Sequence, residues 1–237
     1  MAFRSLWLAT FAAVLGGCAA PTTTVQVSER GSLIPGARIS IPLSPQRLPP
    51  SQPQDGVAFE IGLAAMRGRD TQALGATQPP IVVGDQTFNG PLTLRYEFDY
   101  THLDLRWRGR KFFGEAQRFG LEGLAGFGLA NFGLDASAPG QRGSSNEDSW
   151  GFSAGIGAIY KILPSTSLQA RLDGYSGGRY IFDNITTTRI EIGVAQALGR
   201  HAGVRGGFST WRVQVDPSGS KIDASFSGPA LGLEVMF

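Results

Sequence analysis

Cysteine is all but missing: Cys18 is the only one in 237 residues, so no disulfide can form within the chain. Histidine occurs twice, as His102 and His201, which leaves little material for a histidine-rich metal site or imidazole catalysis. Charged side chains make up 17% of the chain, against roughly 25% in an average soluble domain. The net charge of +2 is spread in both signs, so the clustered basic face that nucleic acid requires is lacking, and no nucleic-acid partner is expected. No apolar run approaches the roughly 18 residues of a spanning helix. The longest, Leu6 to Leu15, is too short, and no segment carries a convincing helical period. Glycine is the excess, with 33 residues, about twice the usual share.

The N-terminus has the order of a secretion signal. Arg4 precedes the apolar run and small residues follow it. The stretch Leu15-Gly16-Gly17-Cys18 resembles the lipobox of bacterial lipoproteins. That resemblance implies a signal peptide over 1–17 and a mature chain starting at Cys18, carrying covalent diacylglycerol and an N-acyl lipid. The alternative, cleavage after Ala20, would place Pro21 directly after the scissile bond. Several acyl chains together make an effectively permanent anchor. In lipoproteins the residue after the cysteine helps set the destination, and Ala19 is not the aspartate that retains them at the inner membrane.

Residues 18–54 are expected to form an extended periplasmic linker. Seven of the fourteen prolines lie between Pro21 and Gln54, among polar residues too weakly apolar to build a core. One island, "ARISIPLS", alternates Ile39, Ile41 and Leu43. It reads either as a short docking strand, on a partner or on the chain's own fold, or as more linker.

From Gly56 onward the period is two, the signature of strands. "VAFEIGLAA" puts Val57, Phe59, Ile61 and Leu63 on one face, and "LTLRYEFDY" does the same with Leu92, Leu94, Tyr96, Phe98 and Tyr100. The alternation then slips by one and resumes in Leu103, Leu105 and Trp107, which predicts a β-bulge near His102. Six further segments, down to "GLEVMF", bring the expected number of strands to about eight. Short turns ("RGRKFFGEA", "LPSTS", "LGRHA") alternate with long polar connections over 69–90, 136–149, 177–184 and 216–221. Such alternation describes an antiparallel up-and-down barrel with two unlike ends.

Two all-β readings compete: a soluble barrel or sandwich with its apolar face inward, or a membrane barrel with that face toward lipid. The face opposite the apolar one carries Glu60, Arg95, Glu97, Asp99, Asp104, Arg106, Arg108, Glu122, Arg171, Asp173, Arg189, Glu191, Arg205 and Glu234. Both signs are balanced there, as a narrow lumen filled by compensating pairs would require. The aromatics favour the same reading. Trp107, Phe113, Phe119, Tyr160 and Phe237 fall near the short-turn end, and Phe132, Trp150, Phe182 and Trp211 near the long-loop end. Two belts at two interfaces suit amphipathic rings. The fold class expected is therefore all-β: an eight-stranded antiparallel up-and-down transmembrane β-barrel over 55–237, behind the Pro-rich linker.

On these residues the chain resembles the small outer-membrane barrels of the OmpA, OmpX and opacity-protein type. The resemblance implies a place in the outer membrane of a Gram-negative cell, among its lipids. It also implies that Leu231, Leu233, Val235 and Phe237 of the last strand are read by the barrel-assembly machinery. The lipobox is a departure, since most such barrels have an ordinary signal peptide.

No catalytic residues, metal ligands or further cofactors are assigned. Barrels that deacylate lipid A use a His-x-Ser pair, but Asp104 and Gly203 follow His102 and His201 at that spacing. The glycines 120, 123, 126 and 128 lack the order of a phosphate loop. Glu147, Asp148 and Asp135 read as solvated charges rather than a cation site. The expected function is structural and interactive: loops presented outside, or an envelope partner held by residues 21–54 or by the long loops. The rivals are a narrow channel and a lipid-modifying enzyme. Eight strands leave room only for side chains, which disfavours a general porin.

Overall fold

The computed structural model describes residues 24–43, 52–178, 185–216 and 220–236. Phe182, Phe237 and Cys18 lie outside them, so the calls made on those three are not addressed by the structure.

The chain is all-β, with twelve strands among the described residues. Eight of them are consecutive antiparallel neighbours in one sheet: β3 (Gly56–Leu74), β6 (Leu92–Phe113), β7 (Phe119–Ala138), β8 (Gln141–Leu163), β9 (Thr166–Gly177), β10 (Ile185–Ala197), β11 (Ala202–Val215) and β12 (Lys221–Met236). Two earlier strands, β1 (Thr24–Arg30) and β2 (Ile34–Pro42), come from the stretch expected to be linker. Both run parallel to β12, and β2 also pairs antiparallel with β3. The sheet therefore closes on itself. Its ring has nine strand positions, with β1 and β2 end to end in the ninth, where eight strands were expected.

The β1–β2 junction holds the bulge of this wall. Arg30 pairs with Ser227 and Ile34 with Ala230, so three residues, Gly31 to Leu33, face two, Gly228 and Pro229. Gly31 takes φ +85°, a left-handed conformation that favours glycine. The extra residue switches the inward set from Val25 and Val27 to Ile34, Arg38 and Ser40. By contrast, the bulge expected near His102 is absent: β6 pairs with β3 and with β7 in unbroken register through His102. Even-numbered residues face inward all along Leu94 to Arg106. What slips there is the chemistry, from apolar inward (Leu94, Tyr96, Phe98, Tyr100) to polar inward (His102, Asp104, Arg106).

That exchange runs round the ring and divides it into two tiers. In the tier toward the short turns, the outer face is apolar: Leu105, Trp107, Leu121, Phe127, Ile156, Leu172, Ile192, Phe208, Leu231 and Leu233 are all exposed, and the charges are inside. In the tier toward the long connections, the outer face is polar, with Thr93, Arg95, Glu97, Asp99, Arg142 and Asp148 exposed. Inside it is a dry core of Val25, Met66, Tyr96, Phe98, Phe132, Leu134, Trp211, Val213 and Phe226.

The second tier was read partly as loops. Residues 136–149, expected to be a polar connection, instead continue β7 and β8 into a tight turn at Pro139-Gly140, with Gly140 at φ +74°. Proline followed by a positive-φ glycine suits a type II turn. The expected loop 69–90 continues β3 to Leu74 and then forms a small hairpin, β4 (Ile81–Val83) and β5 (Gln86–Phe88). Ile81, Val83 and Phe88 are buried in the dry core. Val82 N–H donates to Ser220 Oγ at 3.0 Å. The hairpin thus closes this end of the ring as a lid.

Candidate functional site

The polar interior of the first tier is the densest chemical feature of the chain. Its residues sit at inward strand positions: Arg38 on β2, Glu60 on β3, Asp104, Arg106, Arg108 and Arg110 on β6, and Glu122 on β7. Arg171 and Asp173 follow on β9, Arg189 and Glu191 on β10, Arg205 on β11 and Glu234 on β12. Glycines opposite them leave the space. A Cβ at Gly155 would come within 2.4 Å of Asp173 Oδ1, and one at Gly157 within 2.7 Å of Glu122 Oε1. A Cβ at Gly128 would lie 2.9 Å from His102 Nε2. Part of the glycine excess is therefore room for ionic side chains in a narrow ring.

Glu60, fully buried, is the hub. Its carboxylate accepts from Arg106 Nη2 at 3.1 Å, Arg108 Nη1 at 3.1 Å, and Arg171 Nη1 at 2.9 Å. Arg171 Nε reaches Glu122 Oε1 at 2.9 Å, and Glu122 Oε2 accepts from Arg110 Nη2 at 2.8 Å. On another side Arg106 Nη1 donates to Asp173 Oδ1 at 2.7 Å. A second group centres on Glu191, which contacts Arg189, takes Arg205 Nε at 2.6 Å and lies 3.5 Å from Arg38 Nη2. Arg38, 3.9 Å from Glu60 and 3.7 Å from Glu234, links the two groups.

Of the residues expected inside, Glu60, Asp104, Arg106, Glu122, Arg171, Asp173, Arg189, Glu191, Arg205 and Glu234 do converge there, as does Arg108. Arg95, Glu97 and Asp99 do not. They lie on the exposed outer face of the second tier, with Glu97 paired to Arg69 at 3.2 Å. The reason is the unbroken register of β6: without a bulge, Arg95 to Asp99 and Asp104 to Arg106 fall on opposite faces. Two interior cations were missed. Arg110 was passed over as part of a turn, and Arg38 as linker, although "ARISIPLS" alternates apolar and polar residues as the other strands do. Two expected belt aromatics, Phe132 and Trp211, are buried rather than facing out. Trp107 and Trp150 are about half exposed on the outer face. Leu231, Leu233 and Val235 of β12 are exposed there as well.

A collar of rings separates the ionic tier from the dry core. His102 packs edge-on to Tyr175 (centroids 4.9 Å apart) and Trp211 (5.9 Å). Tyr100 and Tyr175 share hydrogen bonds of 2.7 Å with Thr187 and Ser149. Among the described residues His102 has no hydroxyl within hydrogen-bond reach; its Nε2 is 3.4 Å from Asp104 Oδ1. His201 Nδ1 instead lies 2.8 Å from the Met236 carbonyl, tying a short turn to the last strand. Asp148 takes a 2.6 Å bond from Asn131 on the outer face. Among the described residues, no three or more His, Cys, Asp or Glu side chains are grouped to hold a metal ion. Among the described residues no helix is long and apolar enough to cross a membrane, which says nothing of strands.

The arrangement can do two things chemically. It satisfies buried charges pairwise in a space of low dielectric, where one unpaired charge would cost several kcal/mol. It also fills the ring's axis with side chains, closed above by the collar, the dry core and the lid. Comparison with protein-family models, with curated proteins and with solved structures returns no match.

Proposed function

We propose that the chain is a sealed, membrane-spanning β-barrel of a bacterial outer membrane, and that its role is structural and interactive rather than conductive or catalytic. The carrying observation is the opposite radial order of the two tiers. An apolar exterior around an ionic interior suits a ring immersed in hydrocarbon. A polar exterior around a dry core suits the same ring standing in water.

The dimensions support the reading. On β8 the outward residues from Trp150 to Ile162 form the apolar stretch. Its twelve steps of about 3.3 Å give roughly 40 Å along the strand. At the usual tilt of about 45° that is roughly 28 Å of height, close to a bilayer's hydrocarbon core. The strands β6, β7 and β8 hold 22, 20 and 23 residues, about twice the 9–11 that a span requires. The surplus projects as a rigid stalk capped by the lid. This raised surface, with Arg95, Glu97, Asp99 and Arg142 on it, is what the protein presents to a partner. The lipobox-like stretch adds an acyl anchor at Cys18, and Leu231, Leu233 and Val235 serve recognition by the assembly machinery.

Tryptophan quenching tests this directly. In vesicles of lipid brominated on the acyl chains, Trp107 and Trp150 should be quenched and Trp211 spared, each read in a variant keeping one of the three, with Trp7 also replaced by Phe. Equal quenching of all three, or of none, refutes the spanning. Planar bilayers containing the protein should show no conductance steps above the lipid baseline. Steady ohmic steps would favour the channel instead.

A further inference from the structure

The charges outside the ionic interior are sorted along the ring's axis. At the short-turn end the described residues place Lys111, Arg118, Lys161 and Arg200 on the rim against Asp55 and Glu115, two positive charges in excess. The tier toward the lid has the opposite balance, with seven cations and ten carboxylates among its described residues. Three of the four rim cations gather at one corner, where β6 turns into β7 beside the end of β8. Lys161 N–H donates to the Arg118 carbonyl at 2.8 Å, and Lys161 Nζ stands 3.9 Å from the centre of the Phe112 ring. Asp55 is already paired with Lys111 at 2.7 Å. Among the described residues, neither Arg118 nor Lys161 is ion-paired.

The wall beside this corner says what it holds. Phe113, Phe119, Leu121 and Tyr160 are each about half exposed on the outer face. In the ladder Lys111 stands opposite Leu121; farther from the turn, Gly109 stands opposite Gly123 and Trp107 opposite Ala125. A Cβ on either glycine would meet nothing within 4 Å, so the outer wall is recessed between Leu121 and Trp107. Cations without carboxylates at the foot of an apolar wall match a molecule with an anionic head and a hydrocarbon tail. A free anion would leave the wall bare, and an uncharged lipid would leave the cations.

We propose that the β6–β7–β8 corner binds one anionic phospholipid of the surrounding bilayer. Its phosphate lies between Arg118 and Lys161, and an acyl chain runs along the recess over Gly109 and Gly123 to Trp107. Lysine and arginine at a bilayer surface favour lipids of net negative charge. The site rests on the spanning reading above and adds to it a lipid chosen by charge at one end of the barrel.

The test uses the full-length protein in variants that keep only Trp107 or only Trp150, folded into phosphatidylcholine vesicles. Phosphatidylglycerol brominated on its acyl chains is included in one set and brominated phosphatidylcholine in the other, at equal mole fractions. Half-quenching of Trp107 should need about fivefold less of the anionic lipid, whereas Trp150 should respond equally to both. Arg118→Gln combined with Lys161→Gln should make Trp107 respond equally too, and Arg212→Gln on the outer face of the lid tier should change nothing. Should the double variant fail to fold, the protein with both cations intact decides in about 1 M salt, where screening acts within about 3 Å and the preference should vanish. Equal quenching of Trp107 by the two lipids, or a preference that survives that salt, overturns the site and leaves the spanning reading standing. Quenching of Trp107 by neither lipid overturns the spanning reading, and the site with it.

Discussion

Replacing Glu60 by glutamine tests whether the ionic tier is a single coupled unit. Glu60 is fully buried and accepts from three arginines at 2.9–3.1 Å, with Arg38 3.9 Å away. Glutamine keeps the shape and one acceptor oxygen but removes the charge, and its NH₂ group turns two donors toward guanidinium donors. The interior then holds seven arginines against five carboxylates. Taking one partner from a buried ion pair costs about 3–5 kcal/mol, mostly because the other charge is left uncompensated. Glu60→Gln is therefore expected to lose at least about 3 kcal/mol, read from urea titrations of folding into lipid vesicles. Glu97→Gln is the control. Its side chain is 64% exposed and pairs with Arg69, itself 82% exposed, so the change should stay within about 0.5 kcal/mol. If the two variants unfold at the same urea concentration as the parent, the hub carries no coupled charge and the account of the interior is wrong.

Other perturbations address other parts of the ring. Phe88→Ala removes a fully buried ring of the lid and should cost about 3–5 kcal/mol, with faster proteolysis of 75–91; an unchanged digestion pattern would mean the hairpin does not cap the core. Gly228→Val would bring a Cβ within 2.2 Å of the Ser32 carbonyl oxygen at the bulge. It should detach β1 from β12, seen as lost amide protection over Thr24–Arg30, and full protection would contradict the register. Asp55 accepts from Lys111 Nζ and from the Phe112 backbone N–H, and these bonds hold its carboxyl below the ordinary 3.8. Because the folded value is the lower one, its stabilisation is complete above the ordinary value and fades as pH falls through the folded value. Asp55→Asn should accordingly be less stable than the parent at pH 7 and match it in strong acid; a gap that persists in acid would assign the effect to something other than ionisation.

Much of the wall was legible because a period of two survives in any environment. Gly56 to Leu63, Leu103 to Trp107 and Leu231 to Val235 alternate clearly and occupy strands with the expected face outward. The failures share one cause. A sequence shows which residues alternate but not what surrounds them, and at His102 the surroundings change while the backbone does not. Taken as a kink in the chain, that change put Arg95, Glu97 and Asp99 on the wrong face; Phe132 and Trp211, expected in a belt because they lie near the long connections, are buried instead. The strands of 20 or more residues were cut short for a related reason: Ser144, Asn146 and Asp148 look like loop residues when they lie on the exposed outer face of β8. Arg38 was hidden by prolines, although Pro35 and Pro42 sit in β2. At Pro35, alongside Leu231, a strand with one ladder side open tolerates the missing N–H.

Nine is an odd number, and a closed ring of odd count cannot alternate direction throughout; here the β1–β2 rail and β12 descend side by side. The backbone entering at Thr24 therefore arrives at the end opposite the one where Met236 departs. In a bilayer, fusions to the two termini would report from different compartments.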